Sequence, residues 1–207
     1  MINNMMKTLK SHINEALKIG KNLSKFSAYS CQPKTKDELE DIVYDRILKY
    51  GDDCDLNDID TSLIDDMSYL FYNTNFDGDI SRWDTSNVIT IVSMFERSKF
   101  TGDISKWNVS KVEDAYYAFA YSRFDGDISK WNVSKVTDMC NMFFSSKFNQ
   151  DISKWDISNV NNMNFMFASS SFNQNISNWK IKDNCKTMQM FRNCNIKEEF
   201  KPKSLRV

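Results

Sequence analysis

Along most of this chain the apolar positions return with a fixed period. Trp83, Trp107, Trp131, Trp155 and Trp179 stand 24 residues apart and account for every tryptophan. Phe76, Phe100, Phe124, Phe148 and Phe172 keep the same spacing, as do Phe71, Phe95, Phe119, Phe143, Phe167 and Phe191. The eleven residues GDISKWNVSKV occupy 102–112 and recur unchanged at 126–136. Self-similarity at one period of this length marks a repeat architecture. Two shorter periods lie inside each unit. In ISKWNV, Trp107 and Val109 fall on the side opposite Lys106 and Asn108, which predicts a short strand with Ile104, Trp107 and Val109 inward. In VTDMCNMF, Val136, Met139, Met142 and Phe143 recur every three to four residues, which predicts one or two helical turns. The expected fold class is an α/β solenoid, a stack of 24-residue coils with one short parallel strand and one short helix each. No coil can bury its apolar stripe alone, but stacked neighbours bury a continuous core.

The raw ends of a stack need covers. Before the repeats, TKDELEDIVYDRILKYG offers Thr35 and Glu38 as a capping box, an apolar face of Leu39, Ile42, Val43 and Ile47, and Gly51 as a stop. Four regions are expected: a basic amphipathic helix and linker over 1–34, with Met5, Leu9, Ile13 and Leu17 on one face; a capping helix over 35–53; five to six coils over 54–191; and a polar C-terminal cap over 192–207.

Composition changes this picture in three places. The chain has 15 Phe and 11 Met but only five Gly, so aromatic rings and thioethers must fill the core. Its five cysteines (Cys31, Cys54, Cys140, Cys185 and Cys194) include no CxxC pair, which points to packed thiols in a reducing compartment rather than a disulfide framework. The formal net charge of -1 hides a basic arm: residues 1–36 hold seven Lys against Glu15. No signal peptide, anchor or membrane span is legible, so the expected location is the cytoplasm of a bacterial host cell, or a virion.

The unit I-x-x-W-x-[VIT]-x-x-V is a variant of the leucine-rich-repeat signature, and FNQDISKWDISNVNNMNFMF (148–167) resembles the BspA-like leucine-rich repeat of bacterial surface proteins and mycoplasma lipoproteins. The resemblance covers 54–191. PKTKDELEDIVYDRI is similar to helices that introduce such arrays in bacterial and phage-like proteins, and LKSHINEAL is similar to N-terminal helices of large gut-phage proteins. It implies a leucine-rich-repeat-like solenoid that works by binding, in adhesion or in other protein contacts.

Stacking turns each repeat position into a column. The tryptophan column is expected inside, because it shares a side with Ile104 and Val109; exposed, it would suit sugar stacking. Asp79, Asp103, Asp127 and Asp151, followed by Asn175, form a column that could bind calcium but is expected to cap turns, since Asn replaces Asp and a glycine-dense ligand loop is lacking. On the outward strand face stand Arg82, Lys106, Lys130 and Lys154, beside Asp84, Asn108, Asn132 and Asp156, a candidate partner-binding surface. A second candidate is the variable flank of the helical half, with Tyr69, Tyr72, Tyr116, Tyr117, Tyr121, Phe144 and Phe165, residue types common at interface anchors. Catalysis lacks its parts. His12 is the lone histidine, and the sequence contains no phosphate loop, His/Cys metal cluster or nucleophile elbow. The expectation is therefore a non-enzymatic protein-interaction module without cofactor or metal, acting inside a bacterial cell or delivered by a phage, one form being an inhibitor of a host complex. Its partner is a protein, with no nucleic acid expected and glycan a lesser option. The competing expectation is an adhesion or structural component of a surface or virion.

Overall fold

The computed structural model describes residues 29–206. The amphipathic reading of residues 1–28 lies outside them. Helix α1 spans Lys36–Tyr50. Thr35 Oγ1 accepts the Glu38 backbone N–H at 3.2 Å, while Glu38 Oε2 accepts the N–H of Lys34 at 2.7 Å. These bonds satisfy donors that the first helical turn leaves orphaned. At the other end Gly51 takes φ 96° and returns its N–H to Ile47. The helix buries Leu39 and Val43, with Ile42 and Ile47 partly covered, against the first repeat unit. Ahead of it Cys31 pairs in parallel with Ile59, so the chain enters alongside that unit.

Residues 24 apart lie against one another through the rest of the chain. Phe76, Phe100, Phe124, Phe148 and Phe172 stack ring on ring with centroids 6.1–6.4 Å apart. The series from Phe71 to Phe191 stacks at 5.4–5.8 Å. All these rings except Phe191 are almost wholly buried. Burial of each is worth about 2–3 kcal/mol, and offset stacking adds about 0.5–1.5 kcal/mol per pair.

The faces follow the expected pattern, but the backbone differs from it in both halves of the unit. Ile104, Trp107 and Val109 are buried and Lys106 and Asn108 exposed, yet residues 104–109 pair with no neighbouring strand. They form turns: Trp107 N–H bonds to Ile104 and Val112 N–H to Val109. Conversely, the segment expected to be helical carries the parallel pairing, through Asp66, Thr90, Asp114, Asp138, Asn162 and Lys186 in succession. Its donors alternate. Ile91, Ser93, Phe95 and Arg97 donate to the next unit, at the carbonyls of Asp114, Tyr116, Ala118 and Ala120, over 2.9–3.0 Å. Met94, Glu96 and Ser98 donate three residues back within their own unit. Overlapping turns of this kind bring apolar side chains inward every three to four residues, as a helix would, while half the donors leave the unit. Two residues per unit sit in the left-handed region to allow it, among them Tyr69, Ser93, Arg97, Tyr117, Tyr121 and Phe165 at φ 50–63°. That region costs a non-glycine residue about 1–2 kcal/mol. Among the described residues α1 is the one α-helix.

The tail closes the far end with short 3₁₀ turns at Glu198–Phe200 and Lys203–Leu205. The Phe200 carbonyl accepts the Ile176 N–H at 2.9 Å, and Ile196 and Pro202 are buried there. All five thiols are free.

Candidate protein-interaction surface

Each tryptophan is 4–5% exposed, and its indole N–H donates to the carbonyl 27 residues earlier: Trp83 to Leu56, Trp107 to Ile80, Trp131 to Ile104, Trp155 to Ile128 and Trp179 to Ile152, over 2.9–3.3 Å. The column joins each unit to the one before it and presents no rings for a sugar to stack on. The acidic column does cap turns. Oδ1 of Asp79, Asp103, Asp127, Asp151 and Asn175 accepts the backbone N–H two residues on, over 2.8–3.0 Å. Hydroxyl and backbone bonds from Ser105 and Ser129 hold the carboxyls of Asp103 and Asp127 below the usual range, with Lys106 and Lys130 adding a smaller pull. Among the described residues no group of His, Cys, Asp and Glu has the makings of a metal site, and no helix is long and apolar enough to cross a membrane.

Of the eight candidates on the supposed strand face, Arg82, Lys106, Lys130 and Lys154 lie on turns and Asp84, Asn108, Asn132 and Asp156 on the irregular backbone two residues after them, and all are exposed. They still form two columns. The second column is engaged in its own backbone: Asp84, Asn108, Asn132 and Asp156 each accept the N–H of the serine two residues on. Lys106, Lys130 and Lys154 make no ion pair within 4.0 Å among the described residues. Lys130 and Lys154 border a shallow depression of about 320 Å³ with Asp127, Ser129, Gln150 and Asp151. Positive and negative columns alternate there, which leaves little net field for a charged partner.

The variable flank lies on the laddered turns. Tyr69, Tyr72, Tyr116 and Tyr121 are 39–52% exposed, and Tyr117, Phe144 and Phe165 are half-buried. Tyr69 meets Tyr72 edge-on at 6.0 Å, Tyr116 lies 4.5 Å from Tyr117, and Tyr121 meets Phe144 at 5.2 Å. Cations already sit on two of these rings: the Arg97 guanidinium is 4.4 Å from Tyr121, and Lys36 Nζ is 5.6 Å from Tyr69. Burial, with Tyr116 and Tyr121 beside it, pushes the Tyr117 hydroxyl up to about 12. Burial also raises Asp114, and the neighbouring Asp138 adds to the rise. The surface therefore joins aromatic area to partly desolvated carboxylate, a combination that suits a protein partner offering apolar and basic side chains. Sequence reasoning missed Leu63 and Ile89, which are 50% and 43% exposed. Ile89 could have been found, because it stands in a column otherwise polar at Asp65, Glu113, Thr137 and Asn161.

No curated protein and no solved structure matches the chain. One family model matches it twice, over residues 48–143 and 118–202, and so takes in both halves of the stack. By that match the chain belongs to the repeat family described as Mycoplasma protein of unknown function, DUF285.

Proposed function

We propose that this chain is a non-enzymatic protein-binding module, a leucine-rich-repeat-like solenoid that holds a protein partner against its tyrosine-bearing flank, inside a bacterial cell or in company with a virion. One observation carries the reading. The positions that are aromatic in every unit are buried in the stack, whereas Tyr69, Tyr72, Tyr116 and Tyr121, at positions that are aromatic in only some units, stand exposed on one flank. Stacking gives no reason for them, and exposed aromatic clusters are characteristic interface anchors. The lysine columns are the weaker surface, since their neighbours are committed to turns.

The test is a comparison of two triple variants by pull-down from the native host. Tyr116→Ser/Tyr117→Ser/Tyr121→Ser should lose the captured proteins while keeping its circular dichroism. Lys106→Ser/Lys130→Ser/Lys154→Ser should keep them. The reverse pattern moves the site to the lysine columns, and retention of every partner by both variants overturns the proposal. The competing role, adhesion at a surface or virion, predicts that the protein fractionates with envelope or purified particles.

A further inference from the structure

The last unit of the stack leaves a row of backbone donors unfilled. In every earlier unit four alternate N–H groups are given to the next one, and Met163, Phe165, Phe167 and Ser169 reach the carbonyls of Lys186, Met188, Met190 and Arg192 over 2.7–3.0 Å. Thr187, Gln189, Phe191 and Asn193 hold the same places one unit on, with Gln189 and Asn193 in the same left-handed turns at φ 52° and 54°. Their N–H groups find no acceptor among the described residues. The tail packs on the turn half of this end, at Ile176, and leaves the ladder half open apart from Lys201, whose ammonium lies 6.0 Å from the Phe191 ring. Thr187 and Phe191 are half-buried where their counterparts in all earlier units are buried, and Met188 is 57% exposed.

The opposite end has the complementary chemistry. Terminal units of repeat proteins turn a polar face to water, yet on α1 Tyr44 and Leu48 are 65% and 67% exposed. At 3.6 residues per turn they share a sector of about 100° with Asp37, Asp41 and Asp45, on the side of the helix away from buried Leu39 and Val43. All three aspartates are exposed, and none has a cation within 4.0 Å among the described residues. The charge is regional at both ends: residues 36–66 hold twelve acidic side chains against three basic ones, and residues 180–206 hold eight basic against three acidic. A backbone row made only of donors adds partial positive charge to the basic end.

We propose that copies of this chain associate head to tail, the outer face of α1 in one copy seating on the ladder half of the last unit in the next, with Tyr44 and Leu48 on Met188 and Phe191 and the three aspartates turned toward the unfilled N–H row. Neither end pairs with its own kind, because a row of donors offers no acceptor to a second such row and two acidic helix faces repel. The second copy brings what this end lacks: apolar cover, negative charge and oxygen acceptors. Helix α1 then lies between two stacks, covering its own first unit with one face and its neighbour's last unit with the other. Such an interface, made from two different surfaces, continues from copy to copy. Tyr116 and Tyr121, on a middle unit, take no part in it, so this inference stands apart from the partner-binding reading.

Sedimentation velocity of the full chain tests the proposal with two variants at exposed side chains of opposite ends, Asp41→Lys/Asp45→Lys on α1 and Lys186→Glu/Met188→Asp on the last unit. The parent chain should grow past the dimer as its concentration rises about a hundredfold, and about 0.5 M salt should weaken the association about fivefold. Each variant alone should stay monomeric with the circular dichroism of the parent. Their equimolar mixture should stop at the dimer, because one sound α1 face and one sound last unit remain between them. In the parent, zero-length carbodiimide cross-linking should join Asp41 or Asp45 to Lys186 in the dimer and higher bands. A parent chain that is monomeric throughout overturns the proposal. So does a dimer that either variant keeps on its own, which would mean that a face pairs with its own kind. Cross-links from these aspartates confined to the monomer band and ending on lysines of residues 1–28 overturn it as well, giving the face to the chain's own basic arm.

Discussion

A methyl group added at Gly102 would lie 2.7 Å from Cε2 of Phe100 and 2.8 Å from its Cζ, inside the ring column. Gly78 and Gly126 are equally tight against Phe76 and Phe124, whereas the next two units carry Gln150 and Gln174 at the same place. The rings record the difference. In the glycine units the two phenylalanines of a unit are 4.5–4.7 Å apart, and in the glutamine units they close to 4.1 and 4.0 Å. Gly102→Ala should therefore force a ring shift between two fixed neighbours, at a cost of about 1–2 kcal/mol in urea unfolding. Ser169 offers the opposite change. It is exposed at φ 57°, so Ser169→Gly should raise stability by about 1 kcal/mol in the same measurement. Trp131→Phe keeps most of the buried area but removes one of the two hydrogen bonds that the Ile104 carbonyl accepts, the Trp107 N–H remaining, with an expected loss of about 0.5–1.5 kcal/mol. These residues also show what a sequence conceals. The tryptophan column was legible as core from the company it keeps. The left-handed positions were not, because tyrosine, arginine, serine and phenylalanine occupy them where glycine would have announced the conformation.

The same concealment explains the exchange of elements within each unit. A spacing of three to four residues reports which side chains turn inward, and overlapping turns with a left-handed residue every fourth position produce it as readily as a helix. Only the destination of the N–H groups separates the two, and no side chain encodes it apart from the aspartate or asparagine that heads four of the six ladders, Thr90 and Lys186 heading the others. Asp66, Asp114, Asp138 and Asn162 each accept the N–H two residues on. Helix α1, by contrast, was readable from its caps, Thr35 before it and Gly51 after it, because cap chemistry is local, although the region allotted to it ran on to residue 53. Thr35→Ala should lower stability by about 1 kcal/mol. The turn-capping carboxylates give the elements a pH signature. Asp79, Asp103, Asp127 and Asp151 are held below their ordinary value of 3.8, so their support is complete above it and is lost as pH falls through their lower folded values. Asp114 is raised, so protonation relieves it and stability should rise as pH drops from neutral through its folded value. Thermal melts across acidic pH should thus climb slightly before they fall. Asp114→Asn, which keeps the acceptor for the Tyr116 N–H, should remove the climb and leave the fall.

Across the whole molecule, a unit recognises its neighbours through positions that every unit shares: the two ring columns, the indole bond to the preceding carbonyl and the alternating ladder. The candidate surface is built from what they do not share. Its tyrosines were identifiable in the sequence because other units carry polar or small residues at the same positions, but pairings across units such as Tyr121 with Phe144 were not, since only the stack brings them together. The sameness of the units has a further consequence. A chain that writes GDISKWNVSKV at 102–112 and again at 126–136 offers two interchangeable seams, and excision of residues 113–136 joins Val112 to Thr137 without disturbing the register on either side. The shortened protein should fold, with a urea m-value reduced in proportion to the lost unit. It would also lack Tyr116, Tyr117 and Tyr121, and so should stand as a complete fold deaf to its partner, architecture and message parted by a single cut.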